Sequence, residues 1–145
     1  MPPTAPSPAP SAAPPTAYRH AMRVYWEDTD AGGVVFYANF LKFFERARTE
    51  WLRALGVGQQ RLREQTGAIF VVTDTAVRYR APARLDDLLE VTVALRHRGA
   101  ASMTIAQQAW RGPTLVADGE IRIGCVDGGT FKPRRIPNEV ASTLT

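Results

Sequence analysis

The chain has 145 residues, 45% of them apolar, a formal net charge of +4 and a single cysteine. That length suits one domain around one core, no apolar run reaches the ~18 residues of a membrane-crossing helix, and a lone Cys125 excludes an intrachain disulfide and points to a reducing, cytoplasmic setting. The basic balance suits an anionic partner. Nucleic acid is not expected, because neither an aromatic-rich single-strand platform nor a recognition-helix signature is present.

Seven of the eleven prolines fall in the first seventeen residues, among Ala, Ser and Thr. Such a stretch buries too little apolar surface to offset the cost of ordering it, so residues 1–17 are expected to form a disordered or polyproline-like tail. It lacks the basic start and the apolar centre of a secretory signal. The folded domain is expected over residues 18–140, with 141–145 as a C-terminal tail.

His20 to Trp26 alternates as a strand does, and Glu27 to Gly33 reads as a turn in which Gly32 and Gly33 are free to take positive φ. From Tyr37 to Leu55 the pattern becomes helical. Phe40, Phe44, Ala47, Trp51 and Leu55 recur at spacings of three and four, and Gly56 is a natural stop. Val57 to Thr66 reads as a short polar helix.

Four strand-like stretches follow: Ile69 to Tyr79, Leu88 to Arg96, Ser102 to Arg111 and Thr114 to Val126. Leu89, Val91, Val93 and Leu95 share one face of their strand, and Gly112-Pro113 is a tight hairpin connection. Cys125 continues the apolar series Leu115, Ala117, Ile121, Ile123, where it fills core rather than serving as a nucleophile. With only His20 and His97 to join it, no metal site is expected. One strand, a long helix and four strands joined mostly by short links predict an α+β fold, an antiparallel sheet wrapped around one apolar helix.

The chemistry concentrates between Tyr25 and Phe40. Here a strand ends, the chain turns on glycines and a long helix begins. The first N–H groups of a helix lack intrahelical acceptors and carry the positive end of its dipole. They can polarise a carbonyl and stabilise the oxyanion that develops on it. A carboxylate in the preceding loop can then attack that carbonyl or activate water. Asp28 and Asp30 are the candidate carboxylates, though their spacing alone favours the capping of turn N–H groups. Asp28 does not open a calcium loop, because the twelfth position from it is Asn39 rather than a bidentate Glu.

The run Asp28-Thr29-Asp30-Ala31-Gly32-Gly33-Val34-Val35, followed by Tyr37, Asn39-Phe40 and Glu45-Arg46-Ala47-Arg48-Thr49-Glu50, resembles the 4-hydroxybenzoyl-CoA thioesterase family. It is most similar to the branch of Tol–Pal-associated acyl-CoA thioesterases. The resemblance continues through Tyr79-Arg80-Ala81-Pro82-Ala83-Arg84-Leu85-Asp86-Asp87, at Cys125-Val126-Asp127 and at Lys132-Pro133-Arg134, covering roughly residues 22–140. It implies a hotdog fold and a homodimer, often paired into a homotetramer, with active sites at the dimer interface. It further implies hydrolysis of an acyl-CoA to free acid and CoA, with Asp30 as nucleophile or general base and the Tyr37 backbone N–H polarising the carbonyl.

No cofactor is implied, since CoA arrives as part of the substrate. Possible partners are an acyl carrier protein or a lipid-synthesis protein. The Tol–Pal branch usually has His where this chain has Tyr37; the aromatic acyl-CoA enzymes have Tyr there and Asn two residues on, as at Asn39. That exchange leaves a backbone donor intact and opens two alternatives: a 4-hydroxybenzoyl-CoA or acyl carrier protein thioesterase, or a non-catalytic module of the same fold in envelope or lipid biogenesis.

Supporting residues carry two readings each. Trp26 and Phe36 line an acyl pocket or pack in a core or interface. Asn39 caps the helix or orients the loop. Glu45 is a solvated charge, an interface partner for Arg46 or Arg48, or a supporting group behind the site. Arg98, Lys132, Arg134 and Arg135, with Ser102 near the same turn, contact the phosphates of CoA or form solvated surface.

Overall fold

A computed structural model describes residues 17–144. The proline-rich stretch expected over 1–17 lies outside the described residues, Ala17 excepted. In chain order the elements are β1 (Tyr18–Arg23), a 3-10 turn (Trp26–Asp28), α1 (Asn39–Ala54), α2 (Gln59–Thr66), β2 (Ala68–Tyr79), β3 (Leu88–Arg98), β4 (Ser102–Arg111), β5 (Thr114–Asp127) and α3 (Asn138–Ala141). The strands form one sheet in the order β1-β3-β4-β5-β2, every neighbour antiparallel. The first strand therefore ends three residues earlier than its alternation predicts, and Trp26 turns out of it.

The alternation along β4 and β5 decides which face packs. Met103, Ile105, Ala109, Ile121, Ile123 and Cys125 are buried and join the core cluster with Phe40, Phe43, Phe44, Ala47, Trp51 and Leu52 of α1. The helix thus lays its apolar stripe on the inner face of the sheet. Gly119 is where the approach is tightest: a Cβ there would stand 2.9 Å from the Ala76 carbonyl oxygen and 3.3 Å from the Phe44 ring. The polar residues on this inner face pair with each other. Arg48 Nη1 donates to Gln107 Oε1 at 2.9 Å, and Gln107 Nε2 donates to the Phe44 carbonyl at 3.0 Å. Burial lowers the pKa of the Arg48 guanidinium, and the nearby Glu45 carboxylate opposes that effect.

Beyond β5 the chain turns back along the end of that strand, Arg134 N–H donating to the Cys125 carbonyl at 3.0 Å, and runs on past the β3–β4 turn, where Ile136 N–H donates to the Ala100 carbonyl at 2.9 Å. Val140 and Leu144 are buried and Ala141 packs on the core, so apolar packing runs past residue 140. The four-residue α3 had no counterpart among the expected elements. Cys125 is 1% exposed, in keeping with a core role, and burial pushes its thiol up.

Candidate active site

The segment between β1 and α1 folds into a miniature hairpin. Phe36 N–H donates to the Asp28 carbonyl at 2.9 Å, Thr29 bridges Val35, and Asp30 N–H donates to the Val34 carbonyl at 2.9 Å. Gly33, at φ 78°, makes the bend that an L side chain would resist. The loop at 80–87 backs this hairpin: Val35 N–H donates to the Ala83 carbonyl at 2.7 Å and Val34 bridges Arg84. The two motifs, some fifty residues apart in sequence, are therefore one structural unit.

The two aspartates divide their work. Asp28 is 5% exposed; its Oδ2 accepts the Tyr25 N–H at 2.8 Å. It is a structural cap. Asp30 lies exposed at the hairpin tip, where Oδ1 accepts from Gly32 N–H at 2.8 Å and more distantly from Val34 N–H at 3.5 Å. Its Oδ2 has no hydrogen-bond partner among the described residues. Asp30 therefore caps its turn with one oxygen and presents the other.

Tyr37 stands at the opposite end of the hairpin. The expected helix start at Tyr37 is corrected to Asn39, because residues 36–38 form a tighter turn: Asn39 N–H donates to the Phe36 carbonyl at 2.8 Å and Leu41 N–H to the Ala38 carbonyl at 3.1 Å. The backbone N–H groups of Tyr37 and Ala38 meet no acceptor among the described residues, and they sit at the positive end of α1. Asn39 makes no cap bond; Ala38 holds the cap position. Instead its Nδ2 donates to the Asp28 carbonyl at 2.9 Å, tying the helix to the hairpin.

Aromatic rings surround this mouth. Trp26 is 80% exposed, and Tyr25, Phe36, Tyr37 and Tyr79 are also exposed. Tyr37 packs against Phe36 and edge-on against Tyr79, which also touches Phe40. Burial, and secondarily the neighbouring Tyr37, raise the pKa of the Tyr79 phenol. Trp26 and Phe36 thus join the site region as surface rings rather than core. Tyr79 belongs with them; it opens the 79–87 stretch of resemblance, but its strand pattern does not mark it as a site residue.

The basic residues gather elsewhere, around the end of β5. Arg98, Lys132 and Arg135 are exposed and Ser102 is half-buried. Arg134 is tied down, Nη1 donating to the Thr66 carbonyl at 2.7 Å with Asp127 at 3.9 Å. A cavity of about 160 Å³ lies between α1 and the sheet, with Trp51, Phe70, Met103 and Ile105 inside and Glu45 and Arg48 among its polar residues. Among the described residues no three His, Cys, Asp or Glu side chains cluster as a metal would need.

The thioesterase-like superfamily model matches residues 24–144. The chain belongs to that superfamily. An acyl-CoA thioesterase named YbgC from Haemophilus influenzae is 44% identical over 85% of this chain and 90% of its own length. Among solved structures, a hypothetical protein of Aquifex aeolicus superposes with a TM-score of 0.83 at 28% identity, covering 88% of this chain and 99% of that one. A 1,4-dihydroxy-2-naphthoyl-CoA thioesterase from Synechocystis, at 20% identity, shares the fold with a TM-score of 0.81 over 88% of this chain and 95% of its own. The superfamily's hotdog fold is the α+β architecture that the element order predicted. The match spans both the Asp30 hairpin and the 80–87 loop behind it.

Proposed function

We propose that the protein hydrolyses an acyl-CoA thioester to the free acid and CoA. The observation that carries this reading is that one short hairpin presents an unengaged Asp30 oxygen at its tip and leads, at its base, into the acceptor-free N–H groups of Tyr37 and Ala38. A thioester carbonyl resting on those N–H groups gains positive electrostatic support just where negative charge develops on its oxygen. Asp30 then takes a proton from water as the water oxygen bonds to the carbonyl carbon, or bonds to that carbon itself to form a mixed anhydride that water opens. In either case the C–S bond breaks and CoA leaves as a thiolate that regains a proton. Side chains, backbone and water suffice for this chemistry, with no cofactor.

The same reading places the working unit in a dimer. β2 is a twelve-residue edge strand whose central residues, Val72 to Ala76, are exposed. Such an edge pairs readily with a second copy of itself. Seven residues separate Val72, beside the cavity, from Tyr79, beside Tyr37, or roughly 23 Å of strand. Two-fold pairing centred between them brings the cavity of one protomer toward the Asp30 hairpin of its partner. That cavity falls below the roughly 300 Å³ of drug-sized sites and suits a short acyl group. Further pairing to a homotetramer, a cytoplasmic setting, the Tol–Pal association, and an acyl carrier protein or lipid-synthesis partner belong to the same reading. Arg98, Ser102, Lys132 and Arg135 are the residues assigned to the phosphates of CoA.

The rings at the mouth favour a second specificity, an aromatic acyl-CoA such as 4-hydroxybenzoyl-CoA, over which Trp26 and Phe36 can close. Comparing turnover of short, long and aromatic acyl-CoA substrates separates the two. Asp30→Asn tests the mechanism: kcat is expected to fall at least a hundredfold, the scale of one acid–base group, with the hairpin intact. Equal activity in variant and wild type would remove Asp30 from the mechanism, and activity in neither would favour a non-catalytic module.

A further inference from the structure

Phe131 holds a left-handed backbone conformation at a position where no glycine or asparagine relieves it. It closes the loop after β5, where Asp127 N–H donates to the Lys132 carbonyl at 2.9 Å and Phe131 N–H to the Asp127 carbonyl at 2.8 Å. Its φ is 59°, in the left-handed region where glycine or asparagine normally closes such loops and a bulky residue is an outlier. Phe131 as a whole is 63% exposed, so packing does not offset the strain.

The loop that holds this ring is fixed. Asp127 Oδ1 accepts from Gly129 N–H at 2.9 Å and Thr130 N–H at 3.0 Å, and Arg134 bonds the Thr66 carbonyl beneath. Basic residues lie on the same and adjoining segments. Lys132 and Arg135 are exposed on the same segment, and Ile136 N–H donates to the Ala100 carbonyl at 2.9 Å, which brings Arg135 alongside the β3–β4 turn that follows Arg98. Arg63 Nε lies 3.4 Å from where a Cβ on Gly128 would stand.

A strained, solvent-facing aromatic on a hydrogen-bonded loop, with guanidinium and ammonium groups on the same and adjoining segments, matches a ligand with one flat base and several phosphates. We propose that Phe131 is the stacking platform for the adenine of the substrate's nucleotide, with Arg98, Lys132 and Arg135 taking its phosphates. Strain stored at a residue with no packing role is the mark of a binding function, and ring-on-base stacking tolerates an open surface. This inference rests on the acyl-CoA reading and adds to it the residue that recognises the base.

The test is Phe131→Asn in the full chain, since Asn accepts the left-handed conformation while removing the ring. Calorimetry with CoA and with adenosine 3′,5′-bisphosphate is expected to show binding weakened roughly fivefold to a hundredfold, with an undiminished melting temperature. Phe131→Trp is expected to restore the affinity. Inorganic pyrophosphate, which has the charge and no ring, is expected to bind both chains alike. The ratio of kcat/KM for an acyl-CoA to that for the matching acyl-pantetheine is expected to fall about tenfold, within the same stacking range. Unchanged CoA affinity in Phe131→Asn, equal weakening of pyrophosphate, or no CoA binding by the wild type would each overturn the platform. Failure to hydrolyse despite ring-dependent CoA binding would instead sink the enzymatic reading alone.

Discussion

At the scale of single residues, the inner face of the sheet depends on a polar pair that no local pattern announces. Arg48 and Gln107 stand 59 positions apart and meet in the core, where Gln107 also holds the Phe44 carbonyl. Removing one member strands the other in a place water does not reach. Arg48→Ala is expected to cost about 2–4 kcal/mol in a urea melt, more than a surface arginine would. Gln107→Leu in the same chain should recover part of that loss, because the orphaned oxygen is gone. Asp28 and Asp30 make a similar point. Their spacing alone favours turn capping for both, and only the backbone pairing of the hairpin separates the buried cap from the exposed carboxylate.

At the scale of elements, the loop after β5 gives a pH signature. The N–H groups of Thr130 and Gly129, in that order, hold the Asp127 carboxyl below the usual aspartate range. A depressed folded pKa contributes stability that is full above the unfolded value and is lost as pH falls through the folded one. The melting temperature of the wild type should therefore exceed that of Asp127→Ala at pH 7, with the gap closing below the ordinary carboxylate range. A gap that widens on acidification would contradict this.

The elements themselves were largely legible. α1 announces itself because seven of its residues are buried, chiefly on one stripe. The five strands follow from alternation and glycine-bearing turns. What escaped has physical causes. The turn at 36–38 uses bonds one residue shorter than a helix and looks the same in sequence. A four-residue α3 shows no periodicity. The positive φ of Phe131 carries no compositional signal, since the usual marker, glycine, is absent there.

At the scale of the whole molecule, the sheet ends in β2, with an exposed centre and no neighbour on its outer side among the described residues. The dimer proposed through this edge makes the hairpin and the cavity two halves of one site. Thr75→Lys, which sets like charges beside a two-fold centred between Val72 and Tyr79, is expected to give monomers by sedimentation equilibrium and to lose hydrolysis in step with dissociation. A variant that stays dimeric and active would move the interface elsewhere. No helix among the described residues is long and apolar enough to cross a membrane.

Cys125 turns the interior into a clock. It is the chain's one thiol, sealed beneath the outer segment whose Arg135 carbonyl lies 3.8 Å from its sulfur. An alkylating reagent can reach it only when that covering segment or the sheet comes apart. The pace of labelling in the unmodified protein therefore times the opening of the fold, with no engineered probe.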